Sequence, residues 1–269
     1  MSDLRIFSYL PNPRIWKATI AARLCGVEVE VRGSSPKELS SWLWDFDAHP
    51  LSSTELETAA DTKTGKIGFT GTLHKTGAFM VAHPFGTVPA AFSPDGKIGI
   101  FESNSIMRAV ARLGEKHLRL YGRDAYEASR VDSFLDASLV FARDSQTYLL
   151  SLMSGAVSLE IQGRTRDAFN IYASGINQAL SPERDFLVGD SISIADICFV
   201  AELSLFFNEK ARAGELRKKG LEPILHDGVD ANFPRTFAHF SKLCKHAAFA
   251  PDVEPYLKKI EAAQQTAGR

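Results

Sequence analysis

The segment HPFGTVPAAFSPDGKIGIFESNSIMRAVARLG, residues 83–114, predicts two strands, a tight turn between them and a helix. The apolar run 88–92 and the strand-like residues 97–101 form an antiparallel hairpin in this interpretation. In the turn between them, Pro94 fixes φ and Gly96 accepts a positive φ. Ser103 is then expected as the N-cap of a helix that ends at Gly114, because apolar residues recur between them at helical spacing.

The same segment carries two features that suit an anionic peptide ligand. If the Val88–Pro89 bond is cis, the chain bends there and leaves the backbone N–H and C=O of Val88 available to an outside peptide. The helix start a few residues later offers unpaired N–H groups and a positive partial charge to a carboxylate. The residues alone therefore predict a receptor for a short peptide with an anionic end.

The motifs PFGTVP (84–89) and FESN (101–104) resemble the glutathione-binding half of the glutathione S-transferase superfamily. The resemblance implies that the backbone of Val88, before a cis Pro89, pairs with the cysteinyl part of glutathione. It also implies that Glu102 and Ser103 hold the γ-glutamyl end. Two further residues are assigned to the glutathione-binding set, Lys17 and Asn104. The alternative is a hairpin and helix with an ordinary capping serine, and Ser103 can serve both purposes.

The N-terminal residues predict the remaining parts of a thioredoxin-like domain. Residues 4–9 form a strand, Asn12 caps a helix that begins at Pro13 and ends at Gly26, and residues 27–31 form a second strand. Because the sequence has no Cys-x-x-Cys motif, disulfide exchange by the chain itself is not expected.

The loop at residues 10–14 is where the superfamily carries the group that activates the sulfur of glutathione. Asn12 occupies the position at which many members have a serine. Its amide can donate one hydrogen bond to a thiolate, and Arg14 adds positive charge nearby. The resemblance thus makes Asn12 and Arg14 the candidate catalytic residues. The alternative, that Asn12 is only a helix cap, stays open.

Residues 34–82 are an insertion relative to most members of the superfamily. A short helix is expected within residues 36–46, and the aromatic residues Trp42 and Trp44 argue against full disorder. An ordered flap beside the ligand site, a partner-binding element and a mobile loop are all open interpretations of the insertion.

The second half of the chain predicts an all-helical domain. Residues 124–153 keep a long amphipathic pattern, and Phe141 and Tyr148 on it are candidate walls for a second substrate. Ser193 and Asp196 have the spacing of a capping box before an apolar helix, and the segment resembles the folding motif of the helical transferase domain. The predicted fold is therefore an α/β thioredoxin-like domain (1–115, with the insertion at 34–82) followed by an all-α domain (121–269).

Composition excludes several other classes of function. The chain has 31 basic and 32 acidic residues, so no strong field attracts nucleic acid or an anionic membrane. No apolar run is long enough to span a membrane, and the N-terminus lacks a signal-peptide pattern. The three cysteines are scattered, which suits neither a disulfide framework nor a metal site. A cytoplasmic protein without a metal is expected.

Two strings narrow the resemblance further. YLPNPRIWKA (9–18) and FESNSI (101–106) are most similar to the transferase-like domain of the elongation factor gamma chain. Related bacterial and fungal transferases include glutathione-dependent enzymes that cleave β-aryl ethers. That domain normally precedes a further one, and the end of this sequence at Arg269 favours a free-standing enzyme or one subunit of a pair.

The function implied by this resemblance is attack of a glutathione thiolate on a hydrophobic, aromatic electrophile, with a β-aryl ether as one candidate. The alternative is a catalytically silent subunit that scaffolds a partner chain. A homodimer or a heterodimer with a related chain is expected, with the helix after Glu102 and the first long helix of the second domain at the contact.

Overall fold

The computed structural model describes residues 2–58, 62–65, 69, 71–114 and 119–267. The chain divides into two compact units, residues 1–118 and residues 119–269. The domain boundary expected between residues 115 and 121 falls largely on residues 115–118, which lie outside the described residues.

The first unit contains a four-stranded mixed sheet made of β1 (Leu4–Tyr9), β2 (Val29–Ser34), β7 (Ala90–Phe92) and β8 (Gly99–Phe101), in the order β2-β1-β7-β8. β1 runs parallel to β2 and antiparallel to β7, and β7 runs antiparallel to β8. Two helices, α1 (Pro13–Cys25) and α4 (Ser103–Leu113), pack against each other in this unit. The thioredoxin-like prediction is confirmed.

The hairpin and the start of α4 differ in detail from the prediction. β7 begins at Ala90 and not at Val88, which agrees with the inability of Pro89 to donate a ladder hydrogen bond. The predicted N-cap at Ser103 is wrong, because Ser103 is already the first helical residue and Glu102 occupies the cap position. Glu102 has φ 67° and ψ 122°, and its side chain makes no capping hydrogen bond.

The insertion forms a second four-stranded sheet with the strand order β4-β3-β6-β5. Its elements are a 3₁₀ helix (Glu38–Ser41), β3 (Trp42–Trp44), β4 (His49–Pro50), α2 (Ser53–Thr58), β5 (Thr62–Gly65), β6 (Gly71–Lys75) and α3 (Gly77–Ala82). The helix predicted within residues 36–46 is present only as the short 3₁₀ helix Glu38–Ser41, and Trp42–Trp44 form a strand instead. Trp44 is fully buried and its indole N–H donates to the carbonyl of Leu39 at 3.0 Å, so packing of this side chain decides the local conformation.

Both sheets of the first unit share one hydrophobic core. Phe7 and Phe92 come from the mixed sheet, whereas Trp44, Leu73 and Phe79 come from the insertion. The ring of Trp44 meets Phe7 edge-on at 5.4 Å between centroids and Phe79 at 5.9 Å. The described part of the insertion is therefore built into the core of the unit, which excludes a loosely attached loop there.

The second unit is helical. Its helices are α5 (Ala125–Met153), α6 (Leu159–Ala179), α7 (Ile194–Phe206), a 3₁₀ helix (Phe207–Arg212), α8 (Ala213–Lys218), α9 (Val229–Asn232), α10 (Pro234–Cys244) and α11 (Ala250–Ala267). No helix among the described residues is long and apolar enough to cross a membrane. Phe141 and Tyr148 are buried within this unit, at 1% and 0% exposure, and Phe141 lines a pocket between α5 and α6.

α7 begins with a reciprocal capping arrangement. The side chain of Ser193 accepts from the N–H of Ala195, and Asp196 accepts from the backbone N–H of Ser193. Asp196 also accepts hydrogen bonds from the N–H of Leu187 at 3.0 Å and from a ring nitrogen of His239 at 2.8 Å. Because Asp196 is fully buried, its carboxylate joins three separate segments of the unit.

Candidate functional site

Three chain segments meet at one end of the mixed sheet. Phe7 pairs with Ala90, and Ala90 pairs with Phe101. The loop after β1, the segment before β7 and the segment after β8 therefore leave the sheet at the same end. These are residues 10–14, 83–89 and 102–104, which hold most of the candidate site residues.

The start of α4 presents an exposed and strained backbone. Glu102 is exposed and has a positive φ, which residues with a Cβ rarely adopt. Such strain costs on the order of 1–3 kcal/mol and is concentrated at functional sites. Ser103 follows as the first helical residue and is 7% exposed. The first-turn N–H groups of a helix lack intrahelical acceptors, so this end suits an anion.

Lys17 and Asn104 lie behind Ser103. The Lys17 ammonium donates to the Ser103 hydroxyl oxygen at 3.2 Å and to the Asn104 side-chain oxygen at 2.7 Å. Lys17 is 0% exposed and Asn104 is 1% exposed. The structure therefore connects Lys17 to the site through Ser103 and not through an exposed surface of its own.

Asn12 is engaged on both sides of its amide. The side-chain oxygen accepts from the N–H of Arg14 at 3.0 Å, which caps α1, and the amide nitrogen donates to the Ser8 hydroxyl at 3.1 Å. Asn12 is only 1% exposed. The capping role expected from the sequence is thus present, and a hydrogen bond to a thiolate would have to use the second N–H of the amide.

Arg14 and Val88 are partly exposed beside this buried cap. Arg14 is half-buried in the first turn of α1, and Val88 is half-buried directly before a cis peptide bond to Pro89. Pro89 itself is buried. The structure brings Asn12, Arg14, Val88 and Pro89 to the same end of the sheet as Glu102 and Ser103, in agreement with their grouping by resemblance.

Lys75, in the insertion, contacts the 83–89 segment, and sequence reasoning missed it. Its ammonium donates to the carbonyl of Gly86 at 2.7 Å and lies 4.6 Å from the centroid of the Trp44 ring. Burial lowers the pKa of Lys75. Gly86 has φ 60°, and a Cβ there would lie 3.3 Å from the Lys75 nitrogen. Glycine tolerates this positive φ, but nothing in the sequence marked Lys75 as the partner of Gly86.

His83 begins the same segment and is buried among aromatic rings. Its imidazole is 1% exposed and lies 4.7 Å from the ring of Phe92 and 5.1 Å from that of Phe79. Neither ring nitrogen makes a well-aligned hydrogen bond among the described residues. Burial lowers the pKa of His83 to about 4, and the nearby backbone of Ala91 offsets only part of this effect.

Within the described part of the chain, no cluster of three or more His, Cys, Asp or Glu side chains could hold a metal ion. The polar groups at the end of the sheet are hydroxyl, amide, ammonium and backbone N–H groups. This set suits a ligand with carboxylates and peptide groups.

Comparison with known proteins identifies two groups of relatives. The chain is 31% identical over 215 residues to a probable elongation factor 1-gamma 1 from Arabidopsis thaliana, covering 76% of this chain and 41% of that protein. It is 23% identical over 218 residues to the glutathione S-transferase-like protein LUC7 from a Fusarium species, covering 80% of this chain and 82% of that protein. The chain thus spans about two fifths of the elongation factor relative. No protein-family model matches the sequence.

Solved structures show the same fold. A glutathione S-transferase from Methylobacillus flagellatus, solved with glutathione bound, superposes with a TM-score of 0.61 at 14% sequence identity. The superposition covers 93% of this chain and 98% of that structure. At this identity the match establishes the architecture of a thioredoxin-like domain followed by a helical domain.

Proposed function

We propose that this chain, a member of the glutathione S-transferase superfamily related to elongation factor 1-gamma, binds glutathione and uses its thiolate in a transferase reaction. The observation that carries the proposal is the start of α4. There a strained, exposed Glu102 and a helix-initiating Ser103 lie at the same end of the sheet as the Val88–Pro89 bend.

Glutathione has three features that this end of the sheet can recognise. Its γ-glutamyl group carries a carboxylate, for which Ser103 and the first-turn N–H groups of α4 are donors. Glu102 can accept from the γ-glutamyl ammonium because its carboxylate is exposed beside the helix start. The central peptide unit of glutathione offers an N–H and a C=O, which can pair with the backbone of Val88.

Ser103→Ala is expected to weaken glutathione binding by about 10- to 150-fold. The physical reason is loss of one charge-assisted hydrogen bond, which contributes on the order of 1.5–3 kcal/mol. Isothermal titration calorimetry with wild type and variant measures the effect. Ser133→Ala is the control, because that hydroxyl is exposed and bonded to the carbonyl of Ser129 in its own helix. Wild-type protein that shows no binding at millimolar glutathione would refute the proposed function.

The proposed reaction is attack of the bound thiolate on a hydrophobic, aromatic electrophile, with a β-aryl ether as one candidate substrate. Holding both reactants on one surface replaces a bimolecular encounter and lowers the barrier. A free thiol has a pKa of about 8.5, so the site must favour the thiolate. The positive charge of Arg14, the N-terminus of α1 and the second N–H of Asn12 would each favour the thiolate.

The thiol of bound glutathione is expected to have a pKa at least about one unit below 8.5, and Arg14→Met should raise it again. Thiolate absorbance against pH measures this value. Asn12→Ala removes the amide donor without adding a charge, whereas Asn12→Asp keeps an acceptor for the Arg14 N–H but adds a negative charge that by itself raises the thiol pKa. A raised thiol pKa with turnover lost in Asn12→Ala therefore supports thiolate stabilisation by Asn12. Unchanged turnover would leave Asn12 as a cap.

The second candidate function is a catalytically silent subunit that scaffolds a partner chain. The engagement of both polar atoms of Asn12 within the protein favours it, as does the similarity to an elongation factor chain. An unshifted thiol, with no turnover of a generic electrophile or a β-aryl ether, alone or with a co-expressed relative, would select this function. In both candidates we propose a cytoplasmic homodimer or heterodimer that uses α4 and α5 at the contact.

A further inference from the structure

We propose that Lys17 is a positioning residue that acts through Ser103 and makes the start of α4 selective for a ligand carboxylate. This inference rests on the proposed glutathione site and concerns how that site recognises the γ-glutamyl end. It differs from the expectation that Lys17 touches the ligand, because Lys17 is 0% exposed.

The first step is the direction of the hydrogen bond between the two side chains. An ammonium group has only donors, so the Ser103 oxygen is the acceptor in its 3.2 Å contact with Lys17. The proton of the Ser103 hydroxyl must then point away from Lys17. Among the described residues this hydroxyl donates no hydrogen bond, and Ser103 keeps 7% exposure. A hydroxyl arranged in this way is a donor ready for an external acceptor.

The second step is the charge behind that donor. The Lys17 ammonium is held on its other side by the Asn104 oxygen at 2.7 Å, and Asn104 is the next residue of the same helix. The positive charge is thereby fixed directly behind the Ser103 oxygen. A donor polarised by a cation binds an anion more strongly than a neutral acceptor, and burial reduces the screening of this effect.

The third step is the consequence for selectivity. Lys17 should contribute to binding only when the ligand places a negative charge on Ser103. A ligand that lacks the γ-glutamyl carboxylate should be insensitive to Lys17, although it still uses the Val88 backbone. A purely structural lysine would instead affect both ligands equally, because it would change the shape of the whole site.

The experiment measures four affinities by calorimetry. Wild type and Lys17→Met are each titrated with glutathione and with 4-aminobutyryl-cysteinyl-glycine, which lacks only the γ-glutamyl carboxylate. Methionine keeps the length of the lysine stem without its charge, and replacing a buried ion in this way is often tolerated. We expect Lys17→Met to weaken glutathione binding 10- to 100-fold and to change binding of the analogue by less than threefold.

Two variants support this comparison. Lys97→Met is the matched control, because the Lys97 side chain is 81% exposed and pairs with Asp95 in the hairpin turn. Lys17→Gln keeps a hydrogen-bond donor but removes the charge. We therefore expect an intermediate loss of affinity for glutathione and no loss of affinity for the analogue. It also provides the test if Lys17→Met fails to fold, as judged by thermal unfolding.

The outcomes separate this inference from the proposed function. If wild type does not bind glutathione, the proposed function fails and the inference fails with it. If wild type binds, but the Lys17 variants weaken both ligands equally or neither, the inference is overturned while the proposed function stands. Only a loss of affinity that is confined to glutathione, the ligand with the γ-glutamyl carboxylate, supports the proposed role of Lys17 as a positioning residue.

Discussion

Asp196→Ala is expected to lower the free energy of unfolding of the helical unit by about 3–5 kcal/mol. The substitution leaves the ring of buried His239 and the N–H groups of Leu187 and Ser193 without their acceptor. Leaving several buried donors without an acceptor has an effect of this size, because each unsatisfied donor costs about 1–3 kcal/mol. Because the whole stability of a domain is commonly about 5–15 kcal/mol, a large fraction is lost.

Urea unfolding followed by circular dichroism measures the effect from the midpoint at constant m value. Asp196→Asn should lower the free energy of unfolding by less. Its amide oxygen still accepts hydrogen bonds, whereas its amide nitrogen cannot accept from the N–H of Ser193. Asp190→Ala is the control, since its side chain is 77% exposed and pairs with Arg123 at the surface. A loss below about 1 kcal/mol in Asp196→Ala would contradict the role assigned to this carboxylate.

Stability of the first unit is expected to fall by up to about 3 kcal/mol between pH 6.5 and pH 4, because His83 must become charged inside an aromatic core. In the unfolded chain a histidine has a pKa of about 6.5, whereas burial lowers the pKa of His83 to about 4. The folded state therefore binds the proton less well. The contribution is fully present above pH 6.5 and is lost as the pH falls towards 4.

His83→Phe isolates this effect, since an aromatic ring replaces the imidazole without a titrating group. Denaturant unfolding at pH 7.5, 6, 5 and 4.5 should show a steeper decline for wild type than for the variant. Carboxylates with lowered pKa values, such as Glu30 beside Arg32 and Arg5, are common to both proteins, so their effect on stability cancels in the comparison. Parallel pH profiles for the two proteins would rule out a buried neutral His83.

Elements with strong local signals were predicted well from the sequence. Asn12, Pro13 and Gly26 delimit α1 because capping and turn preferences act within a few residues. Ser193 and Asp196 form their capping box for the same reason. The insertion was predicted less well, because the conformation around Trp44 depends on packing against Phe7 and Phe79, which are distant in sequence.

The candidate site likewise has residues that were predicted from the sequence and residues whose position depends on packing. The resemblance of the two motifs to the superfamily placed Val88, Glu102 and Ser103 together, and the hairpin in the structure brings them to one end of the sheet. It placed Lys17 at the ligand, whereas the structure buries Lys17 behind Ser103, since α1 and α4 pack against each other. The contact of Lys75 with Gly86 had no sequence signal, because a single lysine in an insertion is most often a solvated surface residue.

The core shared by the two sheets of the first unit constrains how related sequences can diverge. Phe7 and Phe92 on one side, and Trp44, Leu73 and Phe79 on the other, fill a single volume. A larger residue on one side must be compensated by a smaller one on the other, because overpacking and cavities both destabilise a core. Relatives without the insertion must cover Phe7 and Phe92 by other means, so we expect these positions to co-vary with the presence of the second sheet.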